Sequence, residues 1–226
     1  MRLWIGLYLP QLPLEVFSPR WCNSGSNGGG ADGTAAPAPV EAAAGADAPV
    51  GTNVLAGANV AGDPGIVVLE QERVMALSKA AHIEGVLPGM RRGGVLMLMP
   101  DARIVQRSHE REAEALQAVA MAMLQYTPQV ALAEEATLLL DIGASLRLFG
   151  GIRQLCAQVR ANLRTLGFTG CIACAPTARG AWLLARRNAG RAVKMDSLVR
   201  RLNRLPVSLL PPARPFAAWF LSLIHI

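Results

Sequence analysis

From residue 23 to about residue 65 the sequence contains no Lys or Arg and is built mainly of Gly, Ala, Pro, Asp and Ser. Such a stretch cannot bury enough apolar area to offset the entropy of ordering it, so it reads as a disordered insertion. Its edges are sharp. Strongly apolar sequence resumes on either side, and the fold must continue across it.

The insertion also skews the charge. The chain of 226 residues has a formal charge of +6, and the insertion carries four acids (Asp32, Glu41, Asp47, Asp63), so the remainder stands at +10. A basic folded part favours an anionic partner such as nucleic acid. Hydrophobic residues make up 52% of the chain but aromatics only 5%, a mix suited to helices packed on a sheet. Four cysteines (Cys22, Cys156, Cys171, Cys174) form no disulfide framework in a chain this long. The apolar start is short and broken by Pro10 and Pro13, so no secretory signal is read there, and no apolar run is long enough for a membrane span. A cytoplasmic protein without a membrane partner is expected.

Residues 3–9 (LWIGLYL) are apolar almost without alternation, as in a strand buried on both faces. Beyond the insertion, residues 66–70 read as a strand and 71–84 as a helix that Gly85 can end; VLPGM at 86–90 holds a Pro-Gly turn. Residues 93–99 are open to either state, and 103–106 read as a strand. The clearest long helix spans 109–126, with Pro128 as its stop. A buried strand over 137–142 is followed by a helix with Ile152, Leu155, Cys156, Val159, Leu163 and Leu166 on one face and Gly167 as C-cap. A strand over 169–175 and a helix capped by Thr177 come next, then a basic stretch over 191–204. The order implies an α+β fold, a mixed sheet with helices on one face.

The collinear order of these pieces resembles the palm and fingers of Y-family (translesion) DNA polymerases. The segment ALSKAAHIEGVLPGM at 76–90 is similar to the return from the fingers in that family, and the phrases LYLPQLPLEVF at 7–17 and LLLDIGASLRLFGG at 138–151 are similar to its ImuB branch, polymerase-like proteins of bacterial mutagenic repair. The resemblance divides the chain into a first palm strand and start of the fingers (1–22), the insertion (23–65), a fingers-like segment (66–108), the palm (109–190) and the truncated start of a thumb (191–226).

Nucleotidyl transfer on this fold needs two divalent metals held by clustered carboxylates. The resemblance places those positions near Leu7, within LYL, and at Ala136 and Thr137, so no catalytic residue and no metal ligand is assigned. Glu134 and Glu135 lie close enough that a shifted alignment keeps an active polymerase, with Mg2+, as the alternative; a nonfunctional fragment is the other. Asp141 reads as a structural residue at a strand end. The fingers positions that grip a triphosphate fall on Lys79 and His82. Arg179, near a helix start, could still meet phosphate. Arg186, Arg187, Arg200, Arg201 and Arg204 are candidate DNA-backbone contacts. The implied function is that of a pseudoenzyme without cofactor in damage-induced translesion mutagenesis. Its implied partners are primer-template DNA, the sliding clamp, an error-prone replicative-type polymerase and a RecA-like accessory protein. Cys171-x-x-Cys174 lacks a second ligand pair and reads as structural, the methionines at 97, 99, 121 and 123 read as core filler, and His82 and His109, isolated from any Ser or Cys nucleophile pattern, are assigned no catalytic role.

Overall fold

The apolar run at the start of the chain becomes β1 (Trp4–Tyr8), an inner strand of a four-stranded sheet of order β5-β6-β1-β7. The computed structural model describes residues 2–18, 65–216 and Trp219. The expected disorder of the insertion and the end of the expected thumb segment fall on residues outside these. β1 pairs antiparallel with β6 (Thr137–Asp141) and with β7 (Cys171–Ala175), and β6 pairs antiparallel with β5 (Val130–Ala133).

Both faces of this sheet are covered, which is why β1 shows no polar alternation. Ile5, Leu7 and Leu9 join Leu138, Leu140, Ile172 and Cys174 in the main core. That core is closed by Ala115, Val119 and Met123 of α4 (His109–Met123) and by Leu155, Cys156, Val159 and Leu163 of α5 (Ile152–Thr165). Trp4 and Tyr8 turn to the other face, where α6 (Ala178–Arg186) packs with its Ala181, Leu184 and Ala185. Gly6 makes that approach possible: a Cβ there would lie 2.4 Å from the Ala181 carbonyl oxygen. The α+β palm-and-fingers architecture holds, but the one-face arrangement applies only to α4 and α5. The four-stranded sheet is antiparallel throughout, and the mixed pairing lies in a second sheet.

That second sheet, of order β3-β2-β4, is formed by β2 (Ile66–Glu70), β3 (Arg73–Leu77) and β4 (Arg103–Gln106), with β2 parallel to β4. The short helices α2 (Lys79–Ile83) and α3 (Arg92–Leu98) belong to the same segment, while α1 (Leu12–Glu15) follows β1. The helix expected over 71–84 is corrected here. Gln71 and Glu72 both take positive φ (49° and 63°), forming a two-residue hairpin turn, and only Lys79–Ile83 is helical. Ser78 begins that helix, its hydroxyl accepting from the Ala81 and Ile66 amides.

Arg107 staples the two sheets' segments together. Its guanidinium donates to Glu70 at 2.8 Å and to Glu112 of α4 at 2.7 and 2.9 Å, which raises its already high pKa. Among the described residues no helix is long and apolar enough to cross a membrane.

Candidate nucleic-acid interface

Residues that face each other across an antiparallel pair share one face of the sheet. Tyr8 is opposite Thr137 and Leu7 is opposite Leu138. Leu7 is fully buried in the α4/α5 core. The first-strand position on Thr137's face is therefore Tyr8, while Leu7 lies on the core side with Leu138 and Ala136. Neither Leu7 nor Tyr8 is an acid.

Ala136 and the two neighbouring glutamates form the β5–β6 turn, with Glu135 and Ala136 at φ 57° and 51°. This turn is held from α6. Trp182 Nε1 donates to the Glu134 carbonyl at 3.2 Å, and the Arg186 guanidinium is ion-paired with the Glu135 carboxylate. Arg186 also donates to the Leu209 carbonyl at 3.0 Å and stacks over the Trp182 ring at 4.8 Å, with Arg179 over the same ring at 5.9 Å. The Thr137 hydroxyl donates to the Glu135 carbonyl at 3.1 Å.

The donor set does not fit a two-metal site. Tyr8, Ala136 and Thr137 offer no carboxylate, and Glu135 is neutralised by a guanidinium. Among the described residues no three His, Cys, Asp or Glu side chains converge where they could hold a metal ion. Asp141 lies at the far end of β6, its carboxylate accepting from the Gly143 amide at 3.1 Å, in the structural role expected of it. Lys79 and His82 are exposed on α2, and among the described residues neither side chain forms a hydrogen bond or ion pair.

The candidate DNA contacts separate into two groups. Arg186 is committed to Glu135 and Leu209, so it is not available to a backbone phosphate; Arg179 and Arg187 are exposed at the two ends of α6. Arg200, Arg201 and Arg204 come together on α7 (Met195–Leu202) and just beyond it, lining an open groove of about 710 Å³. Arg191, Lys194 and Ser197 line it too. These lie within the basic stretch visible in the sequence, Arg191 ahead of α7, Lys194 at its N-cap and Ser197 in its first turn. Arg201 is anchored by donating to the Ala189 carbonyl.

Among the described residues the cysteines form no group that could hold a metal ion. Cys171 and Cys174 face opposite sides of β7, as residues three apart on a strand do. Cys174 instead meets Cys156 of α5, sulfur to sulfur at 3.5 Å, and that contact together with burial pushes the Cys174 thiol's pKa up.

The profile of the impB/mucB/samB family matches residues 54–186. Protein ImuB of Caulobacter vibrioides (strain NA1000 / CB15N) is 33% identical over 104 residues, a stretch covering 45% of this chain and 22% of that protein; the same protein of strain ATCC 19089 / CIP 103742 / CB 15 matches equally. In fold, the chain is similar to DinB from Sulfolobus solfataricus (TM-score 0.57, 14% identity, 98% of this chain and 57% of that one). It is similar also to the insertion ternary complex of Dbh DNA polymerase (TM-score 0.57, 15% identity, 96% and 57%). The chain thus spans little more than half the length of these structures, and the matched part about a fifth of the curated relatives.

Proposed function

This chain belongs to the impB/mucB/samB family of Y-family polymerase-like proteins, a family of DNA damage and translesion synthesis, and from that membership we propose that it binds primer-template DNA without extending it. One observation carries this reading. Where two-metal transfer needs carboxylates gathered on one face, Tyr8 opposes Thr137, and the acid two residues from Thr137 is ion-paired with Arg186. A divalent cation entering there would have to displace a fixed guanidinium from a partly buried pair.

The groove at α7 supports the DNA half of the proposal. Five cations on one open surface suit an anionic backbone, each phosphate contact adding salt-sensitive affinity. On this reading the chain is a cytoplasmic scaffold without a cofactor of its own. The resemblance to the ImuB branch supplies its further partners: the sliding clamp, an error-prone replicative-type polymerase and a RecA-like accessory protein.

The test is fluorescence anisotropy with labelled primer-template DNA in the presence of Mg2+ and nucleotides, with a parallel extension gel. Saturable, salt-dependent binding with no extension is the expected result. Extension would overturn the reading of Tyr8, Ala136 and Thr137, and absence of binding would remove DNA from the proposal.

A further inference from the structure

Charge is divided sharply along this chain. Residues 142–226 hold 13 of the 22 Lys and Arg but a single acid, Asp196, while the other 15 acids lie in residues 1–141. The basic part presents two surfaces on opposite faces of the four-stranded sheet. One is the groove at α7. The other is the outer side of α5, which contains no acid from Ile152 to Thr165.

On α5, Arg153, Arg160 and Arg164 are all exposed. At 3.6 residues per turn they fall within about 40° of one another, a single stripe about 16 Å long. Among the described residues none of the three side chains forms an ion pair or a hydrogen bond. From Arg153 to Thr165 every exposed residue is Arg, Gln, Ala or Thr. A protein-binding surface would carry apolar or aromatic anchors near its centre. This one has cations and amides with only alanine and threonine between them, as suits contact with a polyanion's backbone.

The two surfaces are continuous around the outer strand. β7 is the edge of the sheet, Cys156 of α5 touches Cys174 of β7, and Arg191 forms a bridge with the backbone of Cys174. Arg160 lies one helical turn from Cys156, and the charges of Arg160 and Arg191 both bear on these two thiols. Arg191 in turn lines the groove. Cations therefore run from the groove over the β7 edge and onto α5.

Building on the DNA-binding reading above, we propose that α5 is a second nucleic-acid contact: a strand leaving the groove crosses the β7 edge at Arg191 and lies along Arg164, Arg160 and Arg153. The whole chain is tested against fluorescein-labelled oligo-dT of about 8 and about 30 nucleotides, the shorter being within the site size of one small binding groove. R153Q/R160Q/R164Q should bind the short strand as the native chain does. On the long strand it should lose about 2 units from the slope of log K against log salt, at roughly 0.7 per contact. R160Q alone should lose about a third of that, which keeps the test independent of the triple variant's stability. R200Q/R201Q/R204Q should weaken both strands. Native salt slopes in the α5 variants, with loss in the groove variant, would overturn the α5 contact and leave the DNA reading standing. A native chain that binds neither strand would overturn both. Displacement of the long strand by polyglutamate at equal charge would overturn nucleic acid as the partner of this surface.

Discussion

Two arginine clusters close together in sequence are used in opposite ways. Around Trp182, Arg186 is held by the Glu135 carboxylate, the Leu209 carbonyl and the indole face, and its side chain is only 10% exposed. Beyond Gly190, the side chains of Arg191, Lys194, Arg200 and Arg204 stand exposed around a groove, with Asp196 the one acid in that stretch. In sequence the pairs Arg186-Arg187 and Arg200-Arg201 look alike. What separates them is whether the fold brings an acceptor within reach. The first cluster locks α6 to the β5–β6 turn, and the second is left open to solvent and to whatever anion the protein meets.

The comparison can be broken most severely at its scaffold. Gly6→Ala would drive a Cβ into the Ala181 carbonyl and lift α6, with Arg186, off the sheet, for a loss of about 3 kcal/mol in urea unfolding. An unchanged midpoint would mean that α6 is not seated on β1. Arg186→Ala removes the guanidinium from a partly buried Glu135 carboxylate and from the Leu209 carbonyl, and should cost about 2 kcal/mol of stability. Its DNA affinity at low salt should be nearly native; a stable variant that loses DNA binding would erase the distinction between the clusters. The groove variant R200Q/R201Q/R204Q should show the reverse. Stability should change by less than about 0.5 kcal/mol, while the salt slope on duplex DNA falls by about one unit per residue.

A different kind of effect, on pH dependence, is expected at Glu15, whose carboxylate accepts from the Thr169 amide at 2.9 Å and from its hydroxyl. Burial raises its pKa from 4.5 to about 7 against the lowering effect of those bonds. The folded state therefore holds the proton more tightly than the unfolded state does. Stability from this group is full below about pH 4.5, declines as pH rises towards 7, and is flat above. Glu15→Gln should remove that decline, seen as melting temperatures that stay level from pH 5 to pH 7.5 where the native values fall.

Much of this was legible in the sequence where packing and local pattern agree. The continuous apolar run of β1 announces a strand covered on both sides, and the spacing of Leu155, Cys156, Val159 and Leu163 gives the buried face of α5. The failures share one cause, a turn without its customary residues. Gln71-Glu72 and Glu135-Ala136 take left-handed conformations that Gly or Asn would ordinarily mark, so the β2–β3 hairpin reads as helix and β5 is not marked at all. The site was harder still. Whether Leu7 or Tyr8 shares a face with Thr137 is a matter of register, which long-range pairing sets. Arg186 reads as a surface cation until Glu135, 51 positions earlier, is brought to it.

The central position of β1 has a consequence for biosynthesis. Its two partners begin at Thr137 and Cys171, so β1 leaves the ribosome long before either neighbour and waits while the intervening chain follows. At ordinary translation speeds that interval is roughly 10–30 s. The β2–β3 hairpin, closed by two residues, can form at once, while β1 waits with both apolar faces and both edges open to holding chaperones. Order of synthesis and order of closure run opposite ways at this strand: β1 is made before both of its partners and enclosed only after they arrive.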